Sequence, residues 1–348
     1  MSSPAVPTTS SAPPSGGPGV PTGPEHPADS AAATGRAARV RALALRYSML
    51  WVLVALVLAA TVLYPGFLQL ANVQDILTQN AAVGLIAVAM TFVIISGGFD
   101  LSVGATYALG ATVFAGVTKS TGSVVLAGGC ALLAGVAVGA ANGTIIARWK
   151  VNPFVTTLGM SSVISGLAYV YSNSAPFIVD GISFQYLALT AVAGVPLPIW
   201  ILLVVFLAGA VLLSQTGYGR NIYAIGGNEE AGRLSGLRVP WLVGSAYVMT
   251  GVAAALAGMM DASRLGVGQA DVGATVALDT IAVVVVGGTS LRGGEGAVWR
   301  SGVGLLILAT LTNVFYSLNI SQHWQLIAKG TIVVAAVALD SLLRRRRT

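Results

Sequence analysis

The chain has 348 residues, of which only 9% are charged and 55% are hydrophobic, and its net charge is +6. A soluble domain carries about 25% charged residues, so this composition has too few polar groups to cover a water-facing surface and points to an integral membrane protein. One cysteine (Cys130, in an apolar run) and two distant histidines (His26 and His323) exclude a disulfide framework and leave no spacing for a metal or catalytic pair.

Residues 1–45 are rich in Pro, Ser, Gly, Ala and Thr and lack apolar periodicity, which predicts a disordered cytoplasmic tail. They do not form a signal peptide, because the apolar run that follows begins too late and is too long. Residues 46–343 then form a transmembrane domain. A helix needs about 20 apolar residues to cross the hydrocarbon core, and ten runs qualify: 49–68, 79–96, 103–118, 123–147, 154–172, 197–214, 241–261, 276–291, 301–320 and 324–341. The second and third are separated only by GGFDLS, and the eighth ends in GGTSLRGGEG. The expected fold is an all-α polytopic bundle of about ten spans; eight spans with two re-entrant segments keep the same parity.

Charge tests that parity. With the chain starting inside, the cytoplasm receives Arg36, Arg39, Arg41, Arg46, Arg148, Lys150, Arg220, Arg233, Arg238, Arg292, Arg300 and Arg344 to Arg347, fifteen of the 18 Lys and Arg. Lys119 and Arg264 fall outside, and Lys329 lies within the last span. This asymmetry follows the positive-inside rule and places both termini in the cytoplasm. The basic end, 344–348, directly follows a span, so it reads as an anchor on acidic headgroups rather than a nucleic-acid patch.

Small residues let helices approach in a membrane, where apolar side chains gain nothing by leaving lipid. Gly135, Gly139 and Gly143 recur every fourth residue and predict a close-packing face, assigned to internal packing rather than to dimerisation. Two further glycine motifs interrupt spans. The first contains Gly97, Gly98, Asp100, Ser102 and Gly104. It is open to two readings: a tight cytoplasmic turn in which Asp100 caps the next helix with Ser102 assisting, or a broken helix lining a pathway. The second contains Gly287, Gly288, Thr289 and Ser290. Laid over the first, it matches at the double glycine, the leucine and the final glycine, after a β-branched run in each case. Paired interrupted helices in two halves point to a transporter's path. Elsewhere, Lys329 is expected to snorkel, Asp279 to place a charge at the start of the eighth span, and Asp261 to pair with Arg264 three residues on.

The longest polar interruption after residue 50 is 216–240, with Arg220, Arg233 and Arg238 against Glu229 and Glu230. Its second half predicts a short helix: Asn228 is a good N-cap, Glu229 and Glu230 fall in the first turn, and Gly236 closes the C-terminus. It is either a connector or a handle for something outside the membrane. No GxxxxGK[ST] phosphate loop occurs, so the chain is not expected to hydrolyse ATP itself, and no Ser-His-Asp or HExxH constellation suggests an enzyme.

ISGGFDLSVGA (95–105), ANGTIIARWKVNPFVTTLGM (141–160), GYGRNIYAIGGNEEAGRLSGL (217–237) and LDTIAVVVVGGTSLRGGEG (278–296) together resemble the permease subunit of bacterial ribose-type ABC importers, from about residue 45 to the end. Glu230, Ala231 and Gly232, followed by Gly236, are similar to the importer EAA-then-Gly pattern, with Gly232 in place of the second alanine. The resemblance implies a homodimer, an extracytoplasmic solute-binding protein, and a sugar-type ATPase that binds the ATP, so the permease needs no cofactor of its own. It also implies that Asn228 to Gly236 form the coupling element, with the small Ala231, Gly232 and Gly236 where two backbones approach. The chain departs from the family in its long tail and at Ala277, where these permeases usually have glutamate. A nucleoside or branched-chain amino acid permease is the alternative within the class. An ion-coupled secondary transporter would need coupling carboxylates that the spans largely lack.

Overall fold

The computed structural model describes residues 48–345. The expected tail over 1–45 and the last three residues of the basic C-terminus lie outside them. Each of the ten apolar runs forms a helix. The first five are α1 (Ser48–Leu63), α2 (Leu70–Ile95), α3 (Val103–Thr121), α4 (Val124–Ala147) and α5 (Pro153–Ser172). The segment before the sixth run is not a bare loop: it holds β1 (Phe177–Ile178), α6 (Ile182–Leu189) and a hairpin of β2 (Ala191–Val192) and β3 (Val195–Pro196). The hairpin turns through Ala193 at φ 53° and Gly194 at φ 76°, the two positive-φ positions that a tight hairpin requires. Next come α7 (Leu197–Gln215), α8 (Gly217–Gly227), α9 (Glu229–Leu234) and α10 (Val239–Leu265). The chain closes with β4 (Val267–Gly268), α11 (Val276–Val286), α12 (Val298–Ser317) and α13 (Gln322–Arg345). Strand β4 pairs antiparallel with β1, Phe177 opposite Gly268.

By length and composition, α2, α4, α5, α7, α10 and α12 are long and apolar enough to cross a membrane. The chain is thus a helical, multi-pass membrane protein.

Local chemistry sets the helix ends. The Asn152 carboxamide accepts from the backbone N–H groups of Phe154 and Val155, with Pro153 at the first helical position, so α5 begins there. Helix α2 is the centre of the bundle. From Leu85 to Ile95 every residue is buried, as expected of a helix that is apolar all round and enclosed by other helices. The glycines at every fourth position of α4 lie against α10: a Cβ at Gly139 would sit 2.4 Å from the Tyr247 carbonyl oxygen, and one at Gly135 would sit 2.5 Å from that of Gly251. The face therefore serves packing within this chain.

One expectation is corrected. Lys329 does not reach for the interface. Its Nζ lies 3.3 Å from the Asp279 carboxylate, tying α13 to the first turn of α11. Sequence could not anticipate this, because the two residues are 50 positions apart. The Asp261–Arg264 pair forms as its i,i+3 spacing predicts, at 2.7 Å.

Candidate functional site

Helices α2 and α11 end in the same way. After α2, Gly97 N–H donates to Ile94 C=O at 3.0 Å and Gly98 N–H donates to Val93 C=O at 2.9 Å. After α11, Gly288 N–H donates to Val285 C=O at 2.8 Å and Thr289 N–H donates to Val284 C=O at 3.2 Å. These are two Schellman ends with left-handed glycines, Gly97 at φ 87° and Gly288 at φ 86°. The conformational repeat therefore pairs Gly97 with Gly288, and Ser96 with Gly287, one residue away from the double-glycine alignment. Only the position after the cap needs positive φ, so the neighbouring glycine does not fix the register.

The two ends meet. Gly294 N–H donates to the Ile95 carbonyl at 2.8 Å. The third member is α8, in a stretch whose sequence predicts a loop: a Cβ at Gly226 would fall 1.7 Å from Ile95 O and 2.7 Å from Gly294 N. Beside it the Tyr223 hydroxyl donates to Gly296 C=O at 2.7 Å. Burial raises the Tyr223 phenol above its ordinary pKa, opposed by the Arg300 charge, so it remains a neutral donor. Thr289 and Ser290 are buried in the same place, where Ser290 N–H donates to Glu295 C=O at 3.0 Å.

Asp100 and Ser102 are buried next to this junction, 1% and 0% exposed. The Asp100 carboxylate accepts from Ser102 N–H at 2.9 Å and from the Ser102 hydroxyl at 2.6 Å, while Asn142 Nδ2 donates to Ser102 Oγ at 2.8 Å. Tyr247 OH donates to Phe99 C=O at 3.0 Å and roofs the turn. The Asp100 carboxylate thus holds the turn into α3 through Ser102, the N-cap residue of that helix, whose own side chain makes no capping bond. Gly104 lies away from the junction, against Gly273.

The predicted loop helix is α9. The Asn228 side chain accepts from Ala231 N–H at 3.0 Å, and the end closes through Gly236 N–H to Arg233 C=O at 3.0 Å and Leu237 N–H to Gly232 C=O at 3.1 Å. Gly236 takes φ 82°. Asn228, Glu229, Glu230, Ala231, Arg233 and Gly236 are exposed, and Leu234 is 80% exposed at the tip. Gly232 differs from its expected place: it is buried against Ile225 of α8, so its small size lets α9 lie on α8 and only Ala231 and Gly236 remain on the open face. Glu230 pairs with Arg233 at 2.7 Å, and Glu229 with Lys150. Both pairs are more than half exposed, which makes them weak contributors. Among the described residues, no group of three or more His, Cys, Asp or Glu is placed to hold a metal ion.

A family model described as "Branched-chain amino acid transport system / permease component" matches residues 72–337. The ribose import permease protein RbsC of Escherichia coli (strain K12) is 37% identical over 88% of this chain and 97% of its own length. RbsC of Bacillus subtilis (strain 168) is 40% identical over 82% and 89%, and the L-arabinose transport system permease protein AraH of E. coli (strain K12) is 36% identical over 85% and 90%. No solved structure matches the chain. On this match and these relatives, which run almost end to end, the chain belongs to the branched-chain amino acid transport system / permease component family, as a permease subunit of the ABC importer type.

Proposed function

We propose that this permease carries a monosaccharide or a related small polyol inward across the plasma membrane, as one of two identical subunits, with α9 seated on a cytoplasmic sugar-type ATPase and a solute-binding protein docked on the opposite side. The sugar class rests on the names of the ribose and arabinose relatives. In this arrangement ten spans cross the membrane and both termini are cytoplasmic, in keeping with the placement of fifteen of the 18 Lys and Arg.

The observation that carries the docking reading is α9 itself. It is a doubly capped helix of six residues, exposed on nearly all its positions, presenting Leu234 to solvent, and resting directly on α8 of the glycine junction. A connector has no need of two caps and an outward leucine. The ends of α2 and α11, with Gly97, Gly98, Gly287, Gly288, Thr289 and Ser290, then form the seat that receives the ATPase motion.

The test is Ala231→Trp in the complex reconstituted with its ATPase and binding protein. The change fills the open face without touching the packing of Gly232. An overpacked interface costs about 1–3 kcal/mol, so the ATPase should dissociate on purification and uptake of D-ribose, L-arabinose and D-xylose should fall, while the permease inserts normally. A variant that holds its ATPase and transports like wild type would remove α9 from the coupling role.

A further inference from the structure

Away from the junction, Ser161, Ser165 and Tyr169 of α5 share a cavity of about 250 Å³ with Asp271, Gly104 and Ala277. That is just below the roughly 300–1,000 Å³ of drug-sized pockets and matches the scale of a small solute. In an apolar bundle these four polar side chains require an explanation. None of their side-chain polar atoms has a hydrogen-bond or ion-pair partner among the described residues. Thr78, Thr156 and Thr280 also lack a partner, but Thr91, Thr106, Thr112, Thr118 and Thr157 each donate to the carbonyl four residues back. Ser161 and Ser165 do not.

The depth of the cavity follows from the chain path. Helix α11 has 11 residues, so it rises only about 16 Å, half of a hydrocarbon core of about 30 Å. Its C-terminal end is at the glycine junction. The other half of the crossing, from β4 at Gly268 to Thr275, is covered by irregular backbone. Such backbone is tolerated at membrane depth only where protein covers it or a watery cavity meets it. Both occur. Gly273 closes on Gly104, where a Cβ would come within 1.8 Å of the Gly104 carbonyl oxygen, and Asp271 is exposed on the cavity wall. A carboxylate at that depth, facing a cavity and pairing with no cation, is a binding group by default.

The geometry points to a stopping place for a hydroxylated solute on the translocation path, in which the Asp271 carboxylate accepts hydrogen bonds from solute hydroxyls and Ser161, Ser165 and Tyr169 complete the ring. This rests on the importer reading above and names residues within it. A neutral polyol suits the set: one carboxylate surrounded by hydroxyls binds O–H donors without a cation to balance.

Two measurements test it separately from the importer reading. In a Cys130→Ala background, Asp271→Cys and Ser165→Cys should react in the membrane with a charged, water-soluble thiol reagent, while Val163→Cys, an exposed apolar position on the same helix, should not. Failure of both cavity positions to react would overturn the inference whatever the solute. In the reconstituted complex, Asp271→Asn should lower uptake of D-ribose, L-arabinose or D-xylose per ATP hydrolysed by roughly ten- to a hundredfold, the scale of one charged hydrogen bond. Binding-protein-stimulated ATPase activity should persist, which a merely structural role would not allow. Unchanged uptake per ATP in Asp271→Asn also overturns the inference. A wild-type complex that carries none of the three sugars refutes the monosaccharide reading instead, and the labelling result then decides the stopping place.

Discussion

The junction of α2, α8 and α11 gives a sharp test in Gly226→Ala. A Cβ at 226 would lie 1.7 Å from Ile95 O, 2.7 Å from Gly294 N and 2.9 Å from Ile95 C. All three are backbone atoms, so no side-chain rotation relieves the clash, and the helices must separate. Separation breaks the 2.8 Å bond from Gly294 N–H to Ile95 C=O. Overpacking costs about 1–3 kcal/mol and the lost bond about 1 more, so the sum is roughly 2–4 kcal/mol. By the scaling of soluble domains this lowers the melting temperature on the order of 5–10 °C. The assay is thermal unfolding of the detergent-purified permease followed by size-exclusion recovery. The control is Gly227→Ala, one residue on, where an added Cβ meets nothing within 4 Å; it should stay within about 0.5 kcal/mol of wild type. If Gly226→Ala melts with Gly227→Ala, the three backbones are not in contact and the junction is not a structural unit.

Three further outcomes are expected. Ser102→Ala removes the hydroxyl that bridges Asp100 and Asn142, leaving a buried carboxylate and amide short of a partner at a cost of about 1–3 kcal/mol; a melting temperature equal to wild type would contradict the network. Lys329→Met should destabilise the protein by about 1 kcal/mol, less than a fully buried pair because its side chain is 25% exposed and that of Asp279 is 22% exposed, and adding Asp279→Asn should recover part of the loss; additive losses would show that the two side chains do not interact. In a Cys130→Ala background, Thr121→Cys and Gly227→Cys should label from opposite sides of the membrane, and labelling of both from one side would refute the proposed topology.

What sequence made legible follows a physical division. Helices were visible because apolar runs are local, and α9 was visible because its caps, Asn228 and Gly236, act within a few residues. The conformational repeat was visible because two Schellman ends each need one glycine, but its register was off by one because a second glycine beside the first carries no constraint. Helix α8 was hidden. Its sequence, GYGRNIYAIGG, has four glycines, which local propensity counts against a helix. Tertiary contact overrides that: Gly226 is where backbones touch, and Ile222 and Ile225 are buried. The Asp279–Lys329 pair and the cavity around Asp271 were also hidden, because each joins residues from distant parts of the chain.

That half-crossing gives α11 its mechanical meaning. The helix is a rigid rod with one end in the glycine junction and the other beside the cavity. At the junction, the Ile95 carbonyl binds Gly294 and abuts Gly226, and α9 lies on α8 through Gly232 and Ile225. At the cavity, Gly273 is locked onto Gly104 and Asp279 is tied to Lys329. If α9 takes the coupling role proposed for it, a push on it passes to α8 through the Ile225 side chain against Gly232, and from α8 onward through the backbone contacts of Gly226 with Ile95 and Gly294. On that reading, a displacement at the junction is passed along the rod to its other end, beside Gly104 and Asp271. Short helices joined by glycines at their ends suit this role better than a continuous span would. A continuous α11 would fix the depth of Asp271 by its own hydrogen-bond ladder, whereas irregular backbone over 269–275 lets the carboxylate move relative to Ser161 and Ser165 of α5 when the rod shifts.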